Sequence, residues 1–272
     1  MSDRLTRIGA PILLLVVLAA AGLVPSGLDI ADPGSKAVDE LRIVLAELDD
    51  GAAVLVGFDP DVGTYAEIRP TVRMLLAELA GRGIDVSIVS LTPDGRALAL
   101  AERQRAERLA PDAQEIVDLG FIPGAEAALV ALGGAIAGTS ELASPGGASL
   151  EATDLIIVVG GNDLGPRSWV EQVQPRIDAI PVIAVTPISL LPEVEPYRQS
   201  GQLAAVIATP RDGAAYRLVA DPGPFAALGD ADGGPPALAI VVGLLAAIGW
   251  LGETVVRRIG PSLGPRPERD RS

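Results

Sequence analysis

The sequence predicts an α/β domain, a doubly wound and mostly parallel sheet of five or six strands, with one transmembrane helix at each end. Three observations predict it. Short continuous apolar runs recur along the chain, AAVLVG at 52–57 and DLIIVV at 154–159 being the clearest; strands covered on both faces read this way. Segments with apolar residues at helical spacing lie between these runs, the alternation that builds a parallel sheet. Two long uncharged stretches bracket the whole.

The elements follow in order. A helix is expected over 37–48, where Val38, Leu41, Val44, Leu45 and Leu48 share a face; the same segment could act as a stalk. Asp49-Asp50-Gly51 ends it, and the first strand follows at 52–57. The next helix is expected over 70–79, with Val72, Leu75, Leu76 and Leu79 on one face, Pro70 in its first turn, and Gly81 and Gly83 past its end. Strand two is placed at 84–90, a helix rich in Ala, Glu and Arg at 96–109, and a weaker third strand at 116–121. An Ala/Gly-rich helix at 123–136 leads into a loop at 137–151 containing Ser-Pro-Gly-Gly. Strand four is 154–159, followed by a helix at 167–177, a strand at 181–185, a helix at 190–199, a last strand at 204–208 and a short helix at 213–219.

The bracketing stretches read as membrane spans. Residues 8–28 contain no charge and are long enough to cross a bilayer. Arg4 and Arg7 before the apolar run and Ala19-Ala20-Ala21 within it also fit a cleavable signal peptide; the run continues past that point to Val24, which favours an anchor. A second uncharged stretch becomes apolar near Ala237, just after Pro235 and Pro236, and has Trp250 near its far end. A buried helix is the alternative there. The N-terminal flank carries net +1, and the tail after Gly252 has five arginines against three acids. Positive flanks stay inside. The expected organisation is therefore a cytoplasmic N-terminus with the first span (1–28), an extracytoplasmic α/β domain (29–220), a Gly/Pro linker (221–236), a second span (237–256) and a basic cytoplasmic tail (257–272). The cell membrane is the expected location, with both termini cytoplasmic and 29–232 outside.

Composition excludes much chemistry. The 272 residues include no Cys and no His. That removes thiol nucleophiles, disulfides, imidazole bases and His- or Cys-ligated metals. With 35 acidic against 21 basic side chains the chain has a net charge of −14, which argues against a nucleic-acid partner.

In doubly wound sheets, ligands lie beyond the carboxyl ends of the strands where strand order reverses. For an order 3-2-1-4-5, that point lies between strands one and four. The candidate ligand residues are then Asp59 and Asp61 after strand one, Ser90 and Thr92 after strand two, Gly160, Gly161, Asn162 and Asp163 after strand four, and Thr186 after strand five. Asp59-x-Asp61 followed by Thr64 is similar to the first motif of haloacid-dehalogenase-like phosphohydrolases. That similarity implies Asp59 as nucleophile, Asp61 as acid/base, and Asp59, Asp61 and Asp163 around Mg²⁺, with Ser90 or Thr92 on the phosphate. Lys36 is the only lysine and precedes strand one, so the phosphate-binding lysine of that superfamily has no counterpart. Without that similarity, Asp and Pro after a strand make a turn and cap the next helix. Gly160-Gly161 could bring a phosphate to backbone N–H groups or simply turn tightly.

Three stretches carry a wider resemblance: VLVGFDPD at 54–61, DLGFIPG at 118–124, and YRQSGQL at 197–203 leading to GAAY at 213–216. The chain resembles an uncharacterised bacterial family of membrane-anchored proteins with a Rossmann-like extracytoplasmic domain. The resemblance spans most of the chain. Pro60 stands where members of that family carry an aromatic. It implies architecture and supplies no activity. The expected function is a membrane-anchored binding, sensory or assembly domain acting with membrane-protein partners or as a homo-oligomer, without a cofactor. Small residues such as Gly243 and Gly249 in the second span suit helix–helix packing. The alternative is the Mg²⁺-dependent phosphohydrolase-like enzyme on the Asp59-x-Asp61 edge.

Overall fold

Six strands, all parallel, form one sheet: β1 (Ala53–Asp59), β2 (Asp85–Ser90), β3 (Val117–Phe121), β4 (Thr153–Gly160), β5 (Val182–Pro187) and β6 (Ala205–Thr209). Their order is β3-β2-β1-β4-β5-β6. The order in which strands are added reverses between β1 and β4, as in the assumed order, and β6 extends the sheet by one strand. The structure is a computed structural model that describes residues 35–140, 150–177 and 179–229. The expected spans at 8–28 and 237–256, the basic tail and part of the 137–151 loop lie outside the described residues. Among the described residues, no helix is long and apolar enough to cross a membrane.

Helices α1 (Lys36–Ala46), α2 (Val62–Gly81) and α3 (Pro93–Leu109) cover one face of the sheet, with α7 (Arg211–Val219) returning beside α1. Helices α4 (Glu126–Ile136), α5 (Pro166–Gln172) and α6 (Leu191–Gln199) cover the other. Side chains alternate along each strand, so Val54, Val56 and Phe58 of β1 join the first core and Leu55 the second. The four central and right-hand strands are buried almost throughout. This burial on both faces is why their sequences read as unbroken apolar runs.

Two expectations change. The helix expected over 70–79 begins at Val62, with Pro70 in its interior. Proline there removes one hydrogen bond and costs about 3 kcal/mol. Burial of Tyr65, Ile68, Val72, Leu75 and Leu79 along one face offsets that cost, each such side chain contributing roughly 1.5–3 kcal/mol. The described part of the 221–236 linker is not plain coil: a 3-10 turn (Gly223–Phe225) and a short helix α8 (Ala226–Gly229) pack against α2 and α3. Leu228 is buried there, and its carbonyl accepts a hydrogen bond from Arg105 Nη1 at 2.6 Å.

Smaller shifts follow from local chemistry. Helix α3 starts at Pro93, three residues before the expected Arg96, because Thr92 caps it by accepting from the Gly95 amide. Helix α4 starts at Glu126, and the helix expected over 167–177 ends at Gln172 before a 3-10 turn (Gln174–Arg176) that contains Pro175.

Candidate functional site

The carboxyl ends of β1, β2 and β4 come together at the point where the sheet reverses. β1 delivers Asp59 there with its side chain buried. Asp59 turns toward the β2–α3 connection. Its carboxylate accepts from the Leu91 amide at 2.8 and 3.1 Å, the Thr92 amide at 2.8 Å and the Thr92 hydroxyl at 2.9 Å. Burial pushes the Asp59 carboxyl up to about 6, while the Thr92 hydroxyl and the Leu91 and Thr92 amides pull it back. Ser90 ties the same two strands by donating to the Phe58 carbonyl at 2.9 Å. Gly95 is required by this closeness: a Cβ there would lie 2.3 Å from the Phe58 carbonyl oxygen and 2.7 Å from Asp59 Oδ1.

Beyond β4, Asn162 braces the two central strand ends. Its Nδ2 donates to the Asp59 carbonyl at 2.8 Å, and its Oδ1 accepts from the Leu164 amide at 2.9 Å. Asp61 stands at the N-cap of α2, where its side chain makes no capping bond; Asn162 Nδ2 approaches its Oδ1 only at 3.4 Å. Gly160 and Gly161 allow close approach of neighbouring chain, since a Cβ would lie 2.9 Å from Gly165 Cα and 2.8 Å from Thr64 Oγ1 respectively. The Asp163 side chain is exposed, and its carbonyl accepts from Ser168. Thr186 is buried at the end of β5, and among the described residues its Oγ1 finds no hydrogen-bond partner.

The structure thus joins Asp59 to Thr92, with Ser90 bonded to the main chain of Phe58 and Asn162 to the main chain of Asp59. It leaves Asp61 and Asp163 outside these bonds. A hard cation needs several free oxygen ligands. Both Asp59 oxygens already accept N–H donors, and among the described residues no group of three or more carboxylates converges as a metal cage.

What the carboxyl edge does offer is an open groove of about 640 Å³. Thr92, Asn162, Asp163 and Leu164 line one side, and the segment from Gly124 to Ala127 the other. Its charged lining among the described residues is acidic, Glu126 and Asp163. The Gly124–Ala127 wall was not foreseen. Ala125, the N-cap of α4, has φ 50 and ψ −121, a backbone conformation that L-residues other than glycine rarely hold and that costs of order 1–3 kcal/mol. Pro123-Gly124 was the only signal of a special turn there, and nothing in an alanine announces positive φ.

No family model matches the sequence, and no curated protein or solved structure matches it significantly. The class defined by the structure is a parallel doubly wound α/β domain whose strand order reverses between β1 and β4.

Proposed function

We propose that the chain is a membrane-anchored, extracytoplasmic binding, sensory or assembly domain that works with other membrane components, with the carboxyl-edge groove as its recognition site. One observation carries this reading: the carboxylate best placed for nucleophilic chemistry, Asp59, is committed to three donors that hold the β2–α3 connection, while an open groove forms beside it. An attacking carboxylate needs a free oxygen in line with the phosphorus; a recognition groove needs rigid walls, which the Asp59 and Asn162 bonds supply. The acidic, Lys- and Arg-free lining among the described residues suits a neutral polar or cationic ligand rather than a phosphate. The anchored topology rests on the two uncharged stretches and their positive flanks, and the resemblance of 54–61, 118–124 and 197–203 to anchored Rossmann-like proteins agrees with it.

The test uses the full chain in lipid nanodiscs. Thermal unfolding is followed with and without Mg²⁺ at matched ionic strength, beside Asp59→Asn, and phosphate release from an aryl phosphate is measured in parallel. Binding only to the native state must raise the midpoint. The expected result is no Mg²⁺-specific shift and no turnover. Mg²⁺ stabilisation and phosphate release, both abolished by Asp59→Asn, would overturn the reading in favour of the phosphohydrolase. Reporter fusions at residue 229 and at both termini test the topology, with the reporter at 229 expected to be active only outside the membrane.

A further inference from the structure

A second cavity lies at the opposite, amino edge of the sheet. It is a cleft of about 380 Å³ between α2, α3 and the starts of β2 and β3, within the size range of small-molecule sites. Ile84, Val86 and Ile116 form its sheet side, and Ala80, Ala106 and Ala110 its helix side. Leu228 of α8 closes one end.

The rim has a defined charge. Arg103 lies 2.8 Å from Glu107 and 2.9 Å from Glu115, so one guanidinium faces two carboxylates. Both acids are substantially exposed, at 48% and 72%, and retain oxygens for another donor. Gln114, also on the rim, donates to Asp85. The apolar interior and the net negative rim select one ligand chemistry. We propose that this cleft binds a small amphipathic ammonium ion, an aromatic or branched aliphatic body carrying a primary amine, with the body against Ile84, Val86 and Ala106 and the ammonium at Glu107 and Glu115. The site is separate from the carboxyl-edge groove and does not depend on it.

Calorimetric titration of the full chain in nanodiscs, with empty discs as blank, tests this with three probes of one shape: 2-phenylethylammonium, 2-phenylethanol and 3-phenylpropanoate. The amine is expected to bind about three- to tenfold more tightly than the alcohol, as exposed charges contribute modestly, and the carboxylate more weakly still. Ala106→Leu fills the cavity and is expected to weaken the amine at least about tenfold while the thermal midpoint holds or rises. The Glu107→Gln/Glu115→Gln variant alters only exposed side chains and is expected to bring amine and alcohol to equal affinity. Equal affinities for all three probes in the parent, binding unchanged by Ala106→Leu, or no heat of binding would each overturn the proposal.

Discussion

Asp59 and Thr92 are joined twice: one Asp59 oxygen accepts the Thr92 amide at 2.8 Å and the Thr92 hydroxyl at 2.9 Å. The same hydroxyl oxygen accepts the Gly95 amide at 3.0 Å and so caps α3. The carboxylate at the end of β1 therefore holds the start of a helix that follows the neighbouring strand. Removing its charge acts on the sheet edge and on the groove wall together.

The pH dependence of stability follows from this contact. Burial lifts the Asp59 carboxyl from its usual value near 3.8 to about 6 in the folded state. A folded value above the unfolded one means that folding favours the protonated acid. The associated stability is present in full below about pH 4 and is lost as pH rises through about 6. Between roughly pH 7.5 and pH 4.5, the parent is expected to gain about 2 kcal/mol relative to Asp59→Asn, which lacks this titration. Denaturant unfolding of both proteins at the two pH values measures the difference directly, and a constant gap would refute it.

Gly57 is predicted to be intolerant of any side chain. It lies in β1 beneath Trp169 of α5, and a Cβ there would sit 2.2 Å from Trp169 Cζ2. Trp169 is itself fully buried, so it has no free space to move into. Gly57→Ala is expected to lose about 1–3 kcal/mol through overpacking. Adding Trp169→Leu, which vacates the space, is expected to restore part of that loss, so the two changes are coupled. A double-mutant cycle by chemical unfolding checks this; strictly additive effects would show that the contact is not limiting.

The buried ion pair between α2 and α3 gives a third outcome. Arg73 Nε and Nη2 donate to the two Glu102 oxygens, both at 2.8 Å, and the paired side chains are 7% and 5% exposed. Glu102→Leu removes the bidentate acceptor of a buried guanidinium and is expected to lose about 3–5 kcal/mol. Replacing both, Arg73→Met with Glu102→Leu, is expected to recover most of it, since an apolar pair of similar volume is often as stable. Equilibrium unfolding of the single and double variants decides the point.

The sheet was legible because physics writes it plainly. Leu155 to Val159 and Val54 to Val56 face apolar layers on both sides, and a strand so placed can contain little else. Right-handed crossovers left few topologies, and the assumed order 3-2-1-4-5 is the one the first five strands adopt. The start of α2 was hidden by Pro70, which suits a first turn and here sits mid-helix. Its first two turns are held by Tyr65, whose ring meets Phe58 edge-on at 5.9 Å, and by Ile68 in the core. These are tertiary contacts that a local pattern does not display. The candidate residues follow the strand ends and so could be placed at the carboxyl edge from sequence, but the direction in which Asp59 turns could not be read there. Whether Asp59 turns outward to a substrate or inward to Leu91 and Thr92 depends on a neighbouring strand 32 residues away in sequence. The Ala125 conformation left no trace in the residue type at all.

Asn162 supplies the last prediction, because its amide group is used in both senses. Nδ2 donates to the Asp59 carbonyl while Oδ1 accepts from the Leu164 amide. Asn162→Asp keeps the acceptor and loses the donor, leaving the Asp59 carbonyl without this partner and adding a negative charge near Asp61. Loss of a hydrogen bond to a partly buried carbonyl contributes about 1–3 kcal/mol, and the added repulsion works in the same direction. Asn162→Ser, shorter and neutral, should lose the brace without the repulsion. The order of stability is therefore expected to be parent above Asn162→Ser above Asn162→Asp. The gap between the two variants should shrink as pH falls toward 4 and the introduced carboxyl gains its proton. Hydrogen exchange at Leu164 is expected to accelerate in Asn162→Ser and to stay slower in Asn162→Asp, which keeps the acceptor. If the two behave alike at every pH, charge at the β1/β4 crevice has no bearing on its stability, and the acidic character assigned to the groove loses its physical consequence.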